Sequence, residues 1–385
     1  MIGVEDQWLL SFSLADRNDF INQQQLISFM LIEEAGGALP TFELTFQTED
    51  ISIMALLNEG NVLTASLGKN ANDLTDTRLR LNRPRVTRLG QGGIVVMLTG
   101  FYDAVGWLTS PVQQITGSQD AFTTIRNVAQ KYFTVSGTPE TSQDSMRWIQ
   151  PSITDRSFVT DTWLHADLGD GDFPVLGITQ TGEFRLWSMA QLVGTAPKHV
   201  FSYEGTGDNI VIDGDYEISL NDPLLNQWAG YGATQNVYDL SAGVSSEFST
   251  NIQPLMSFAQ TLNREQGIMP KRLPNGAKNG NVHGRWNEAK ANNLSGLASF
   301  SSNKVKLNYA QYFYGVSVLD LVTFKDDGLK VTTSNREQNA RKQLQDYYTG
   351  LYVVSKVSRI IKDDQLSTYV ELVREAPADM SGSLQ

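Results

Sequence analysis

The period of the apolar positions changes along this chain, and each change marks a change of element. The first part gives short, partly alternating runs bounded by Gly, Asn and Asp: Trp8 to Leu14, Leu39 to Gln47, and Val62 to Leu67. Alternation with period two buries one face of a strand and leaves the other in water, so these runs predict strands. A longer pair, Thr77 to Leu89 and Ile94 to Val105, flanks Gly90-Gln91-Gly92-Gly93. Glycines there can take the positive φ that a hairpin link needs. Ile51 to Leu57, between Asp50 and Asn58, predicts a short helix capped by its acidic start.

The period then lengthens. Gly117-Ser118-Gln119-Asp120 precedes Phe122, Ile125, Val128, Ala129 and Tyr132, spaced by three and four, which predicts an amphipathic helix with a Ser or Asp start. A shorter helix follows from Asp155 or Ser157 to Leu164. Next comes a strand pair, Phe173 to Ile178 and Glu183 to Trp187, around a turn at Thr181-Gly182. Strands return from Phe201, with Asn209 to Gly214 and Tyr216 to Leu220. Between about 222 and 302 the chain is polar and rich in Gly and Asn, with loops marked by Pro270, Pro274 and Gly276 and a helix from Trp286 to Leu297. Lys304 to Phe313 and Val316 to Lys325 read as strands. The chain closes on a hairpin whose arms, Tyr348 to Ile361 and Leu366 to Arg374, are joined by Lys362-Asp363-Asp364-Gln365.

The expected fold class is mainly β with α+β insertions: two antiparallel β-barrel domains plus a peripheral α+β domain. The expected boundaries are a first barrel at 1–110, an α+β insertion at 111–199, and a second barrel from 200–222 and 303–376. A loop-rich insertion at 223–302 packs with the α+β domain, and 377–385 is a tail. A length of 385 residues agrees with more than one domain, because single cores stop growing near about 250 to 300 residues.

Composition narrows the function classes. The net charge of −12, from 30 Lys plus Arg against 42 Asp plus Glu, repels a polyanion and argues against a general nucleic-acid binder. The chain has no cysteine, which removes disulfides, thiolate metal sites and a Cys nucleophile. Its start, Met1 to Gln7, has neither a basic nor an apolar leader segment, and a protein made soluble in the cytosol is expected.

Candidate chemistry is sparse. His165-Ala166-Asp167-Leu168-Gly169-Asp170-Gly171-Asp172 offers oxygen ligands for a hard cation, but it lacks the ordered positions and distal Glu of an EF-hand and reads better as a surface loop. Arg78, Arg80, Arg83, Arg85 and Arg88 could form a nucleic-acid stripe. Better, they form the solvated or interface face of a strand pair, with Arg78 and Arg80 on one side, Leu79 and Leu81 on the other, and carboxylates of a neighbouring subunit as partners. Asp213, Asp215 and Glu217, or Asp326 and Asp327, could pair as glycosidase carboxylates, yet acids in turns are usually solvated. His165, His199 and His283 show no ligand spacing, and no nucleophile-elbow, P-loop or dinucleotide motif is present. No catalytic, cofactor-binding or metal-ligating residue is assigned.

The closing hairpin, with Gly350-Leu351-Tyr352-Val353-Val354-Ser355-Lys356-Val357 in one arm and Thr368-Tyr369-Val370-Glu371-Leu372-Val373-Arg374 in the other, resembles the end of phage tail-tube and baseplate-hub proteins. Glu59 to Gly68, a glycine-linked pair ending in Leu98-Thr99-Gly100-Phe101, and a helix opening near Gly117-Ser118 are similar to the first half of a contractile-tail baseplate hub. Trp148-Ile149-Gln150-Pro151, leading into a short helix and a strand pair, is similar too. The resemblance follows element order across nearly the whole chain. It implies a non-enzymatic homotrimer whose two tube-like barrels per subunit make a pseudo-sixfold ring. That ring joins a hexameric tail tube, or a tube-adaptor ring, to a trimeric central spike and leaves a channel through which DNA passes without specific binding. It also implies a place in the virion baseplate, assembled in the host cytoplasm, with wedge proteins as further partners, no stable membrane insertion and no cofactor. Two rivals stay open: a carbohydrate-binding or cleaving tail protein, suggested by Trp228, Tyr231 and Trp286, and the hub portion of a type VI secretion-like machine.

Overall fold

The computed structural model describes residues 2–4, 8–15, 17–68, 74–90, 92–137, 141–169, 171–205, 209–220, 233–250, 271–272, 275–278, 280–301, 303–309, 315–327 and 348–374. The first β-rich part holds β1 (Ile2–Val4), β2 (Trp8–Leu14), β3 (Arg17–Asn18), β4 (Leu26–Glu34), β5 (Thr41–Thr48), β6 (Val62–Gly68), β7 (Thr75–Leu81), β8 (Arg85–Arg88) and β9 (Ile94–Tyr102). Alternation does what the sequence suggests. Leu10, Phe12 and Leu14 of β2, Leu63 of β6, Leu79 and Leu81 of β7 and Leu98 of β9 point into one core. Each such side chain contributes about 1.5 to 3 kcal/mol on full burial.

The predicted strand from Thr77 to Leu89 is two strands. Pro84 has no N–H for a ladder, so the chain leaves β7 after Leu81 and re-enters as β8, which pairs with a different part of β9. β9 stops at Tyr102, and Val105 opens α1 (Val105–Thr109) instead of ending a strand. Ile51–Leu56 is a short 3-10 helix whose start is capped by Asp50, which accepts from Ser52 N at 3.0 Å. Gly100 marks a close crossing, since a Cβ there would overlap the carbonyl of Arg80.

The α+β part follows with β10 (Pro111–Gln119), α2 (Ala121–Ala129), β11 (Thr134–Gly137), β12 (Met146–Thr154), α3 (Asp155–Leu164), β13 (Pro174–Ile178), β14 (Glu183–Ser188) and α4 (Met189–Val193). Asp120, rather than Ser118, caps α2, accepting from Thr123 N at 3.0 Å; Thr154 caps α3 through Ser157 N at 3.2 Å. β10 and β12 form a two-stranded ribbon, and β11, β14 and β13 form a small mixed sheet. Their common core centres on Trp107, whose indole meets the rings of Tyr132, Phe133 and Phe184 edge-on at 5.9, 5.3 and 5.9 Å.

The rest of the chain supplies β15 (His199–Ser202), β16 (Ile210–Val211), β17 (Glu217–Leu220), β18 (Ala233–Asp239), β19 (Val244–Thr250), β20 (Lys271–Arg272), β21 (Gly276–Lys278), α5 (Trp286–Phe300), β22 (Asn303–Tyr309), β23 (Leu321–Lys325), β24 (Gly350–Lys362) and β25 (Gln365–Arg374). The strand expected from Val316 begins only at Leu321. Residues 316–320 form a turn, with Leu319 at φ +65° and Asp320 accepting from Ser317 N at 2.8 Å. Positions 310–313 of the strand expected from Lys304 lie outside the described residues. The polar stretch carries a small sheet, β18 to β21, besides the predicted helix. The closing hairpin turns on two residues, Asp363 and Asp364, both at positive φ, which matches the twist of its arms.

Strands from both halves belong to one sheet. It runs β8–β9–β5–β4–β24–β25–β22–β17, with every neighbouring pair antiparallel. Along β24, Val357 enters the second core and Ile361 the first. The protein is thus mainly β with α+β insertions. Each half curls around its own core, and among the described residues the pairing path of each stays open.

Candidate functional surface: the seam and the open face of the shared sheet

The seam between the halves is the β4–β24 ladder, in register from Lys356 opposite Glu34 to Lys362 opposite Ser28. Apolar residues alone could fill its core side, yet Glu33 and Arg359 meet there, 0% and 3% exposed. Arg359 Nη1 donates to Glu33 Oε1 at 2.9 Å, and Arg359 Nη2 donates to the carbonyl of Val316. Glu33 also accepts from Gln180 N at 3.1 Å and Val318 N at 3.3 Å. One ion pair therefore ties together β4, β24, the β13–β14 turn and the 316–320 turn. Close by, Asp320 accepts from Arg185 at 2.8 Å and from Lys198 at 3.3 Å. A buried pair such as Glu33–Arg359 adds little net stability over apolar residues of the same volume, but removing one of its partners is costly.

The other face of the same sheet lies away from both cores. Pleating puts Met97, Thr45, Met30, Ile360, Ser358 and Tyr369 on it, spread from the first half to the second. Its charges are mixed: Glu43, Glu34, Glu371 and Glu217 stand among Arg85, Lys362, Lys356 and Lys306. Several cancel locally, as in Lys306 with Glu217 at 3.3 Å and Lys304 with Glu371 at 3.2 Å. A shallow depression of about 520 Å³ lies at its second-half end, beside Tyr369, Lys356 and Asp215. A surface of this kind offers a polyanion no excess of positive charge and no concentrated repulsion.

The residues singled out in the sequence are dispersed. Asp167 accepts from Gly169 N and pairs with Arg285 at 3.2 Å, whereas Asp172 accepts from Ser188 Oγ, the N-cap of α4, and from Ala190 N in its first turn. Asp170 lies outside the described residues, and among those described no three His, Asp or Glu converge as a metal site. Arg78 and Arg80 face away from Leu79 and Leu81 as expected, and both pair with Asp103 of their own chain. Asp326 accepts from Tyr216 Oη at 2.6 Å, and Asp327 accepts from Ser202 Oγ and Tyr203 N, so this pair braces the second half. Trp286 stacks on His165 at 3.6 Å inside the α+β part, while Trp228 and Tyr231 lie outside the described residues.

The histidines bear on stability. Burial drives His165 down to about 4 from its ordinary value of 6.5, and burial also lowers His199 and His283. The folded protein keeps these rings neutral while the unfolded chain protonates them near 6.5. Stability is therefore full above that pH and falls as pH drops toward 4. Asp144, raised by burial, acts the other way, as one group against three imidazoles. The urea midpoint is expected to be clearly lower at pH 5 than at pH 7; an equal or higher midpoint at pH 5 contradicts this account.

No family model matches the sequence, and no curated protein matches it. Solved structures do. The tail protein from Neisseria meningitidis MC58 aligns with a TM-score of 0.60 at 10% identity, over 96% of this chain and 97% of its own. The prophage MuSo2 43 kDa tail protein from Shewanella oneidensis aligns with a TM-score of 0.60 at 10% identity, over 96% and 98%. An E. coli component of the type VI secretion system, itself similar in structure to T4 bacteriophage tail proteins, aligns at 0.51 and 6% identity over 94% of this chain and 76% of its own. The chain shares the fold of phage tail proteins and of a secretion-system relative along nearly its whole length.

Proposed function

We propose, on the premise of that shared fold, that this chain is the structural baseplate hub of a contractile phage tail. Three copies form a ring that presents six similar β units, joins a hexameric tail tube to a trimeric central spike, and leaves a channel for DNA ejection. One observation carries the reading: the two β-rich halves are a single body, joined by a continuous antiparallel sheet and tied at the seam by the Glu33–Arg359 pair. A rigid body with two similar units is what a threefold assembly needs to present sixfold contacts, because rotationally repeated interfaces close only when the angle between units is fixed.

The open face of the shared sheet is assigned to the channel. Its mixed charges suit a passage through which a polyanion slides. The β10–β12 ribbon, with Ile115 and Ile149 paired across it and 67% and 54% exposed, is assigned to a peripheral partner such as a wedge protein. The role is non-enzymatic in this reading. Asp326 and Asp327 are occupied by structural hydrogen bonds, and Trp286 is stacked on His165.

Light scattering of the purified chain tests this assignment. A mass three times the 42.6 kDa of one chain is expected. A chain that stays monomeric in the presence of its tube and spike neighbours removes the hub reading.

A further inference from the structure

Three arginines flanking Pro84 have, among the described residues, no ion-pair partner. Arg83, Arg85 and Arg88 are exposed and, among the described residues, make no ion pair, in a chain that carries a net charge of −12. They lie on or beside β8, whose four residues are all exposed and which, among the described residues, pairs only with β9. β8 ends one run of strands in the sheet shared by the two halves, beside the point where β7 pairs with the far part of β9. The other end of this run of strands is β17, which among the described residues pairs only with β22 and carries exposed Glu217, with Asp213 and Asp215 just before it, exposed as well.

The two edges differ in charge and in direction. From β8 to β17 the sheet has eight strands, alternating in direction at every step. An even number of antiparallel strands leaves the outer two running opposite ways. When a second copy is added by rotation, its β8 therefore meets the first copy's β17 antiparallel, and the alternation continues without a break. Both strands are four residues long. An exposed, uncovered edge is otherwise an aggregation hazard, and pairing it within a closed assembly removes the hazard.

We propose that β8 of one copy docks on β17 of the next, and that the arginines of the first edge and the carboxylates of the second select this head-to-tail contact and set its register. This deepens the ring reading and rests on it. The pleat limits the register, because a slip of one residue would exchange the two faces. Arg85 shares the open face with its partner Met97, and Glu217 shares it with its partner Lys306. Arg85 opposite Glu217 keeps the open face continuous between copies and brings Thr87 opposite Asp215. The existing Lys306–Glu217 pair, with side chains 46% and 66% exposed, does not forbid this; an exposed pair of that kind is weak and exchanges its partner readily. Like charges placed edge to edge would repel, so an arginine edge cannot meet its own copy and a two-fold dimer through β8 is disfavoured.

The absence of cysteine makes the contact directly testable. The Arg85→Cys, Glu217→Cys double variant, oxidised after assembly, is expected to give a covalent trimer on a non-reducing gel, since cross-strand neighbours lie within disulfide reach. Independently, Arg85→Glu with Arg88→Glu is expected to raise the concentration needed for assembly by roughly 10- to 100-fold, and adding Asp215→Lys with Glu217→Lys in the same chain is expected to restore it. Unchanged urea midpoints would show that these exposed changes leave the subunit folded. A trimer that neither cross-links nor responds to charge reversal overturns this contact while leaving the ring standing. A wild-type chain that never leaves the monomer with its neighbours present overturns the ring itself.

Discussion

Replacing Arg359 by Met is expected to lower the free energy of unfolding by about 3 to 5 kcal/mol, the usual cost of removing one partner from a buried ion pair. The reason is what remains. Glu33 is 0% exposed, and without the guanidinium its carboxylate keeps only the backbone N–H groups of Gln180 and Val318, while the carbonyl of Val316 loses a donor. A charge left in that position must either be neutralised by a proton or pull water into the seam, and both weaken the packing of the 316–320 turn on β4 and β24. The matched double change, Glu33→Gln with Arg359→Met, is expected to recover much of the loss, since two well-packed uncharged side chains need no mutual compensation. Urea midpoints of the wild type, both single variants and the double variant measure the coupling between the two positions. A single-variant loss below about 1 kcal/mol would mean that the pair is solvated and that the seam does not depend on it.

Trp107→Ala is expected to cost a similar amount, about 3 to 5 kcal/mol, through a different cause. The indole is fully buried at the centre of the α+β core, touching Tyr132, Phe133 and Phe184, and its N–H points at the carbonyl of Gly37 at 3.4 Å. Three aromatic rings packed edge-on around one indole cannot close the space it leaves without giving up their own contacts, so the cavity persists. The damage should be local. Amide hydrogen exchange is expected to speed up in α2, α3 and β14 while β4 and β24, at the seam, keep their protection. Equal acceleration in both regions would show that the α+β part and the shared sheet unfold as one unit.

The contrast between those two positions also explains what could be read from the sequence. β2, β6 and β7 were legible because each buries one face, so Leu63, Leu79 and Leu81 alternate cleanly with polar residues. β4 was not, because Ile27, Met30 and Ile32 on its open side are as apolar as Phe29 and Leu31 in the core, and the alternation disappears. The β10–β12 ribbon inverts the signal: Ile115 and Ile149 point outward, while Gln150 is fully buried and donates to Asp155. The seam was illegible for a further reason. Glu33 and Arg359 are separated by 326 positions, and nothing in either segment marks a charge as buried. The arginine series was half legible. Its alternation was visible, but Arg78 and Arg80 pair with Asp103 within the chain, whereas Arg85 and Arg88, beyond Pro84, lie on β8.

Electron microscopy of the negatively stained main peak tests the central claim most directly. Class averages are expected to show a ring with a central hole and a nearly sixfold outline built from three chains. Compact particles with no hole, or a trimer whose averages show three lobes without the sixfold outline, would contradict the claim that each chain contributes two similar β units to a common ring.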